Sequence, residues 1–278
     1  YHYLLELLPF VVVALLYEIL PLATVVYKSF LPDTVGSFTL ENYQTIASKL
    51  LYRKAITNSL KISITSALAG IVIAFFGARA AHERPGKLNR AFTAILNMVS
   101  NFAGIPLAFA YMILLGNTGL VVNIGKELGI SALANYELYT MNGMSLIYIY
   151  FQIPLSTLLL IPAFDGVHKQ WKEACTLLGG SPGVFWRRIA IPVLMPSILA
   201  TFSVLFANAL AAYATIYALM MDNIALLPVQ IAGCFTGEVR IRAGLGGALS
   251  VVMMVLMLLM ILLTNAISRR FQKGGARR

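Results

Sequence analysis

Residues 165–192 have the sequence DGVHKQWKEACTLLGGSPGVFWRRIAIP and separate two long apolar runs. The stretch is too polar to insert into a bilayer and too apolar for a solvated linker. Four of its residues recur at helical spacing and predict one apolar stripe: Trp171, Ala174, Cys175 and Leu178. Gly179 predicts a left-handed helix end, and Pro182 prevents the helix from continuing. The stretch therefore predicts an amphipathic helix over Val167–Leu178, a sharp turn, and a second segment that leads into the next apolar run.

The composition of the whole chain indicates a membrane protein. Of its 278 residues, 59% are hydrophobic and only 12% are charged, and the mean hydropathy is +0.80. A soluble domain carries about 25% charged residues, so this chain cannot cover its apolar surface with polar side chains. The net charge of +10 does not indicate nucleic-acid binding, because the basic residues form short clusters between apolar runs. The chain is thus predicted to use lipid as the solvent for most of its surface.

Six apolar runs are long enough to cross a bilayer, which takes about 20 residues each. They predict an all-α membrane protein with a single transmembrane domain over residues 1–278. The N-terminal run lacks the basic start and the cleavage site of a signal peptide, so it is expected to be a retained membrane helix. The predicted spans cover residues 7–26, 62–80, 94–115, 145–164, 192–218 and 249–267.

The basic residues predict the orientation of these spans. Most of the 21 Lys and Arg residues lie in the two loops after the second and fourth spans and in the C-terminal tail. Cytoplasmic loops carry the excess of Lys and Arg, so these loops and both termini are predicted to be cytoplasmic. Residues 165–192 then face the cytoplasm.

The same loop resembles a known family. Permease subunits of binding-protein-dependent type I ABC importers carry Glu-Ala-Ala, three residues, Gly, nine residues, Ile, one residue and Leu-Pro. This chain matches every spacing and departs from the pattern only at Cys175 and Ile191. SFTLENY after the first span, NSL at the start of the second, and GNTGLVVN after the third are also similar to this family. Within the family, the chain looks closest to the spermidine/putrescine permease group.

The resemblance implies the partners and the role of the loop. It implies a coupling helix that docks into a cytoplasmic ATPase, with two such ATPase subunits binding ATP and Mg²⁺. It further implies an extracytoplasmic binding protein, a second permease, with a homologous heterodimer partner favoured over self-pairing, and the inner or plasma membrane of a prokaryote. The residues assigned to ATPase coupling are Trp171, Glu173, Ala174, Cys175, Leu178, Gly179, Ile189 and Pro192.

The chain is not predicted to be an enzyme. Residues 119–127 come closest to a phosphate-binding loop, but they have five residues between the glycines and Glu127 where Ser or Thr would bind Mg²⁺. Cys175 and Cys234 show no metal-ligand spacing with any histidine, so no metal site is predicted. ATP hydrolysis is therefore expected on a separate subunit.

Polar side chains within apolar spans are the candidates for a substrate pathway, because burying them in lipid is costly. Each one also has an alternative role as a hydrogen bond between helices. Glu18, the only carboxylate deep in a span, has a structural pairing as its alternative. The candidates are Glu18, Asn97, Asn101, Gln152, Asn208, Tyr213, Tyr217 and Asp222.

Two other functions stay open from the residues alone. An ion-coupled secondary transporter would show inverted repeats with broken helices near the midplane, and it would not account for the cytoplasmic motif. A membrane scaffold without transport activity is the other alternative.

Overall fold

The computed structural model describes residues 2–33, 37–83, 86–221, 223–236 and 241–275. Throughout these residues the regular structure is helical, with no strand. Six helical stretches are long and apolar enough to cross a membrane. The predicted all-α fold with six apolar spans is confirmed. The six stretches are Glu6–Ser29, Leu50–Glu83, Ile105–Glu127, Met141–Gly166, Pro182–Ala211 and Ala243–Phe271.

Among the described residues, fifteen α-helices make up these stretches and their connections. A π-helical turn (Leu15–Ile19) joins the first two helices, and a 3₁₀ helix (Ile161–Gly166) follows the ninth. The helices are α1 (His2–Ala14), α2 (Leu20–Ser29), α3 (Glu41–Ser48), α4 (Leu50–Glu83), α5 (Lys87–Ser100), α6 (Ile105–Leu115), α7 (Leu120–Glu127), α8 (Ser131–Ala134), α9 (Met141–Leu160), α10 (Lys169–Leu177), α11 (Pro182–Phe185), α12 (Ile191–Ala211), α13 (Ala214–Met220), α14 (Leu227–Thr236) and α15 (Ala243–Gly275).

The chain forms two compact units, and α4 and α15 each contribute to both. The first unit comprises Tyr1–Asn58 and Asp222–Leu256, and the second comprises Ser59–Met221 and Met257–Arg278.

Polar contacts hold the first unit together around α3. The Asn42 amide donates to the carbonyl oxygens of Ser29 and Leu31, at 3.1 and 2.7 Å. The Asp33 carboxylate accepts a hydrogen bond from the backbone N–H of Gly244 at 2.7 Å, and so caps the start of α15. The segment after the first span is thereby fixed to the first turn of the last helix.

In the second unit, α9 packs closely against α4. A Cβ added at Gly70 would lie 2.8 Å from the Gln152 Cβ, so only glycine fits at this crossing. The Ser156 hydroxyl lies 3.3 Å from the Gly70 carbonyl oxygen and 2.6 Å from that of Gln152. Small residues at a helix crossing let two membrane helices approach closely.

Two predicted spans differ from the structure in their bounds: the third stretch is Ile105–Glu127 and excludes α5, and the fifth is Pro182–Ala211 and excludes α13. The span predicted over 94–115 is divided into α5 and α6, and the one predicted over 192–218 is divided into α12 and α13. Gly104 explains the first break, because its φ of +75° cannot belong to a right-handed helix and Pro106 then starts α6. The second break, at Ala212 and Tyr213, has no Gly or Pro.

Candidate coupling loop and transport pathway

The predicted amphipathic helix is α10, which covers the central part of the predicted range. Its C-terminal end has the two hydrogen bonds of a Schellman motif. The Gly180 N–H donates to the Cys175 carbonyl at 2.8 Å, and the Gly179 N–H donates to that of Thr176 at 3.0 Å. Gly179 has φ +77°, so the predicted left-handed glycine is confirmed.

A short second segment connects this end to the next span. Ser181 caps α11 by accepting a hydrogen bond from the Val184 N–H at 3.4 Å. A π-helical turn (Trp186–Ala190) that contains Ile189 leads directly into α12, where Pro192 lies in the first turn.

One side of α10 lines an apolar groove of about 730 Å³. All four residues of the predicted stripe lie in this groove, so the prediction that they share one face is confirmed. Val184, Ile189 and Val193 form the opposite wall. The Trp171 side chain is 37% exposed in the groove. The second segment after the turn therefore folds back alongside the apolar stripe.

The other side of α10 lines a second cleft of about 620 Å³, whose opposite wall is the end of α4. Lys169, Lys172 and Glu173 face this cleft, so Glu173 lies apart from the apolar stripe. At the C-terminal end of the helix, Leu177 and Leu178 are each 88% exposed. These two adjacent leucines therefore make little contact with the rest of the chain.

The two broken spans meet at their interruptions. α6 packs against α13. The Thr215 hydroxyl in the first turn of α13 donates to the Gly104 carbonyl oxygen at 3.1 Å. That oxygen also accepts from the Ala108 N–H at 3.2 Å. The first break lies directly before the stretch Ile105–Glu127 and the second directly after Pro182–Ala211, so this contact joins the ends of two membrane-length stretches.

Two predicted pathway residues lie directly before the first break. Asn97 and Asn101 are exposed, and their amides donate to backbone carbonyls one turn earlier: Asn97 to Thr93 at 3.0 Å, and Asn101 to Asn97 at 2.8 Å. Asn97 lies in the last turn of α5, and Asn101 is the residue directly after the helix.

Gln152 is fully buried and contacts α12. Its amide donates to the Leu205 carbonyl at 2.7 Å, and the Asn208 amide lies 3.5 Å from its side-chain oxygen. These contacts support the helix-to-helix role for Gln152. Asn208 is exposed and reaches the same face from α12.

The remaining pathway candidates are dispersed. Tyr213 and Tyr217 stack with ring centroids 5.1 Å apart, beside the break between α12 and α13. Glu18 is exposed within the π-helical turn of the first span, in the other unit. Asp222 lies outside the described residues.

Sequence reasoning missed Gly104 and Thr215. The segment Gly104-Ile105-Pro106 carries a usable signal, because a glycine two residues before a proline is typical of a helix start. Thr215 has no such signal, since its partner is 111 positions away in the chain. Of the α4 residues at the second cleft, Arg79 was counted only among the basic residues that predict orientation, and His82 was considered only as a possible metal ligand.

Comparisons with known proteins agree with this architecture. No protein-family model matches the chain. A bacterial ABC transporter that imports the acidic polysaccharide alginate superimposes with a TM-score of 0.75 at 19% identity, over 95% of this chain and 94% of that one. This chain has the fold of an ABC importer permease.

Relatives by sequence are also permeases. The trehalose transport system permease protein SugB of Mycobacterium tuberculosis is 25% identical over 251 residues, 87% of this chain and 82% of the relative. A probable sulfate transport system permease protein of Helicosporidium sp. is 25% identical over 203 residues, 72% of each chain. The resemblance to ABC importer permeases is thus confirmed. In this permease fold the matched loop contains α10, the two clefts beside it and the start of α12.

Proposed function

We propose that this chain is the membrane-spanning subunit of an ATP-driven importer that takes its solute from an extracytoplasmic binding protein. ATP and Mg²⁺ would bind to two separate ATPase subunits, and α10 would dock into one of them. The spans of this chain and of a second permease, most simply a homologous one, would together enclose the pathway. Both termini would then lie in the cytoplasm, as the basic loops predict.

The observation that carries the proposal is the exposed apolar surface of α10. Leu177 and Leu178 project from the end of a helix whose own apolar face lines an open groove. An amphipathic helix presented in this way is suited to a groove on a partner protein. The left-handed turn at Gly179 brings the chain back at once, so the helix end stays accessible.

The paired helix breaks support the transport role. The broken backbone at Gly104, the Asn97 and Asn101 amides and the stacked tyrosines Tyr213 and Tyr217 all lie within or directly next to α5, α6, α12 and α13. Polar groups and interrupted helices within a transporter bundle are typical of sites that contact a solute. We assign Asn97, Asn101, Tyr213 and Tyr217 to the pathway, and we assign Gln152 to helix packing.

The solute is proposed only as a small molecule delivered by the binding protein. Polyamine transport stays a prediction, which rests on sequence resemblance and on the attraction of cations to carboxylates and aromatic faces. The names of the relatives refer to other solutes, sulfate and trehalose. The solute bound to the binding protein purified from its host, identified by mass spectrometry, decides between these classes.

Copurification tests the proposed function. The chain is purified from its host membrane, and we expect an ATPase to accompany it. Glu173→Lys is expected to abolish ATP-driven uptake into vesicles while the chain still inserts into the membrane, because it reverses the only carboxylate of α10. Glu127→Lys, an exposed charge reversal on α7, is the control and should retain uptake. Uptake driven by an ion gradient without ATP would overturn the proposal in favour of a secondary transporter.

A further inference from the structure

The predicted cytoplasmic end of α4 lies against an aromatic cluster. The cluster includes one residue from each end of the coupling loop, the segment 164–186 that contains α10. Phe75 of α4 has its ring centroid 5.4 Å from that of Phe164 and 5.9 Å from that of Trp186. Phe164 lies just before α10 in the chain, and Trp186 lies just after it. One helix thus contacts the loop both where it leaves the membrane bundle and where it returns.

Close packing next to this cluster holds α4 against α9 and α12. Ala74 and Ala78 are fully buried against Leu160 and Leu194, the apolar residues next to the loop on α9 and α12. Alanine allows the helix backbones to approach, and Leu160 and Leu194 are each only 1% exposed. This apolar contact stabilises the packing of α4 against α9 and α12.

Two polar contacts lie above it, and both come from α4. The Arg79 guanidinium lies 4.4 Å from the Trp186 ring centroid, and its Nε donates to the Glu83 carboxylate at 2.9 Å. The Nδ1 atom of His82 lies 3.3 Å from an Asp165 carboxylate oxygen. Arg79 therefore contacts the C-terminal end of the loop, and His82 contacts its N-terminal end.

The polar contacts of Arg79 and His82 contribute little to the stability of the fold, so their role is a different one. The side chains of Arg79 and Glu83 are 36% and 52% exposed, and that of Asp165 is 76% exposed. Ion pairs at such positions stabilise a fold only weakly, because water and salt screen them. The arrangement instead fixes the orientation of Arg79 relative to Trp186, because the flat guanidinium contacts both the Trp186 ring and the Glu83 carboxylate. A lysine ammonium cannot reproduce that geometry.

We propose that Arg79 and His82 are positioning residues that connect both ends of the coupling loop to α4, so that movement of α10 moves the second span. The proposal rests on the proposed function, because it requires an ATPase that displaces α10. It adds a path for that displacement. α4 runs without a break from the cleft beside α10 to Leu50, so motion applied at Arg79 moves a helix of 34 residues.

The first test measures the contact itself and needs no ATPase. The chain has two tryptophans, so Trp171→Phe leaves Trp186 as the only one. In that background we expect Arg79→Gln to increase quenching of Trp186 fluorescence by acrylamide, because the guanidinium no longer covers the ring. Arg90→Gln is the matched control: it removes an exposed charge from the same predicted cytoplasmic loop, on α5. Equal quenching in both variants would overturn the geometry on which the proposal depends.

The second test measures solute transported per ATP hydrolysed, in the intact transporter with its ATPase. We expect Arg79→Gln and His82→Gln to lower this ratio by roughly two- to thirtyfold, the range that residues between coupled sites span. Melting temperatures should match that of Arg90→Gln, and Arg79→Lys should restore the ratio only in part. Ratios equal to that of the control would overturn the proposal and leave the proposed function intact. Absence of any ATPase from the purified protein would overturn the proposed function and the transmission role together.

Discussion

The Thr215 hydroxyl donates a hydrogen bond to the carbonyl oxygen of Gly104 across 3.1 Å, and so connects two broken membrane helices at their interruptions. Gly104 supplies the backbone conformation at the start of α6, and Thr215 lies in the first turn of α13. The contact therefore links the starts of these two helices.

Gly104→Ala is expected to destabilise the protein and to impair uptake. A φ of +75° is strained for any residue with a Cβ, at a cost of about 1–3 kcal/mol. The free energy of unfolding in detergent, followed by helical circular dichroism, measures this. Gly233→Ala, within α14 and with open space around its Cβ position, is the control and should be neutral or slightly stabilising. Equal effects of the two substitutions would contradict the role of Gly104.

Gly179 is required for its backbone conformation and not for lack of space around it. No atom lies within 4 Å of an added Cβ, but φ is +77°. Asn tolerates this region and β-branched residues do not. Gly179→Asn should therefore retain most ATP-driven uptake, and Gly179→Val should lose it. Similar loss in both variants would mean that the side chain, not the backbone, prevents coupling.

The exposed leucines of α10 should matter for binding and not for folding. Replacing Leu177 and Leu178 together by Gln removes an apolar surface that packs against nothing in this chain, so the melting temperature should stay unchanged. The amount of ATPase that copurifies should fall. Leu88→Gln, on α5 with 84% exposure, is the matched control and should leave copurification unchanged. A fall in the melting temperature of the Leu177 and Leu178 variant would show that these residues support the fold.

The two native cysteines provide a test of orientation. Cys175 is partly exposed in the loop predicted to be cytoplasmic, and Cys234 is buried in α14. Burial raises the pKa of the Cys234 thiol, so less of the reactive thiolate forms at neutral pH. We expect a membrane-impermeant maleimide to label Cys175 in inverted vesicles but not in intact cells. Labelling of Cys234 should stay slow at pH 7 and increase as the pH rises. Labelling of Cys175 from outside intact cells would reverse the predicted topology.

The sequence was sufficient for the fold class and for α10, because both depend on local signals. Apolar runs of membrane length predicted six spans, and the spacing from Trp171 to Leu178 predicted a face that the structure shows lining one groove. Gly179 and Pro182 marked the turn. These features follow from neighbouring residues alone.

The contacts at the helix breaks and between α4 and the coupling loop join residues that are far apart in the sequence. Ala212 and Tyr213 have no helix-breaking side chain, so the end of α12 has no local signal in the sequence, and the contact of α13 with α6 is visible only in the structure. Gln152 fitted a pathway and a packing role equally well until its partner on α12 was known. Arg79 was one basic residue among many, and only the position of Trp186 distinguishes it.

The two sides of α10 have a consequence for specificity. The apolar stripe of α10 lines one groove, whereas Lys169, Lys172, Glu173 and Leu177 line the cleft shared with α4. This nine-residue helix therefore presents an apolar side and a mostly charged side. Substitutions confined to the groove side would retarget the chain to a different motor subunit and leave its internal linkage unchanged, which makes this helix a modular adaptor.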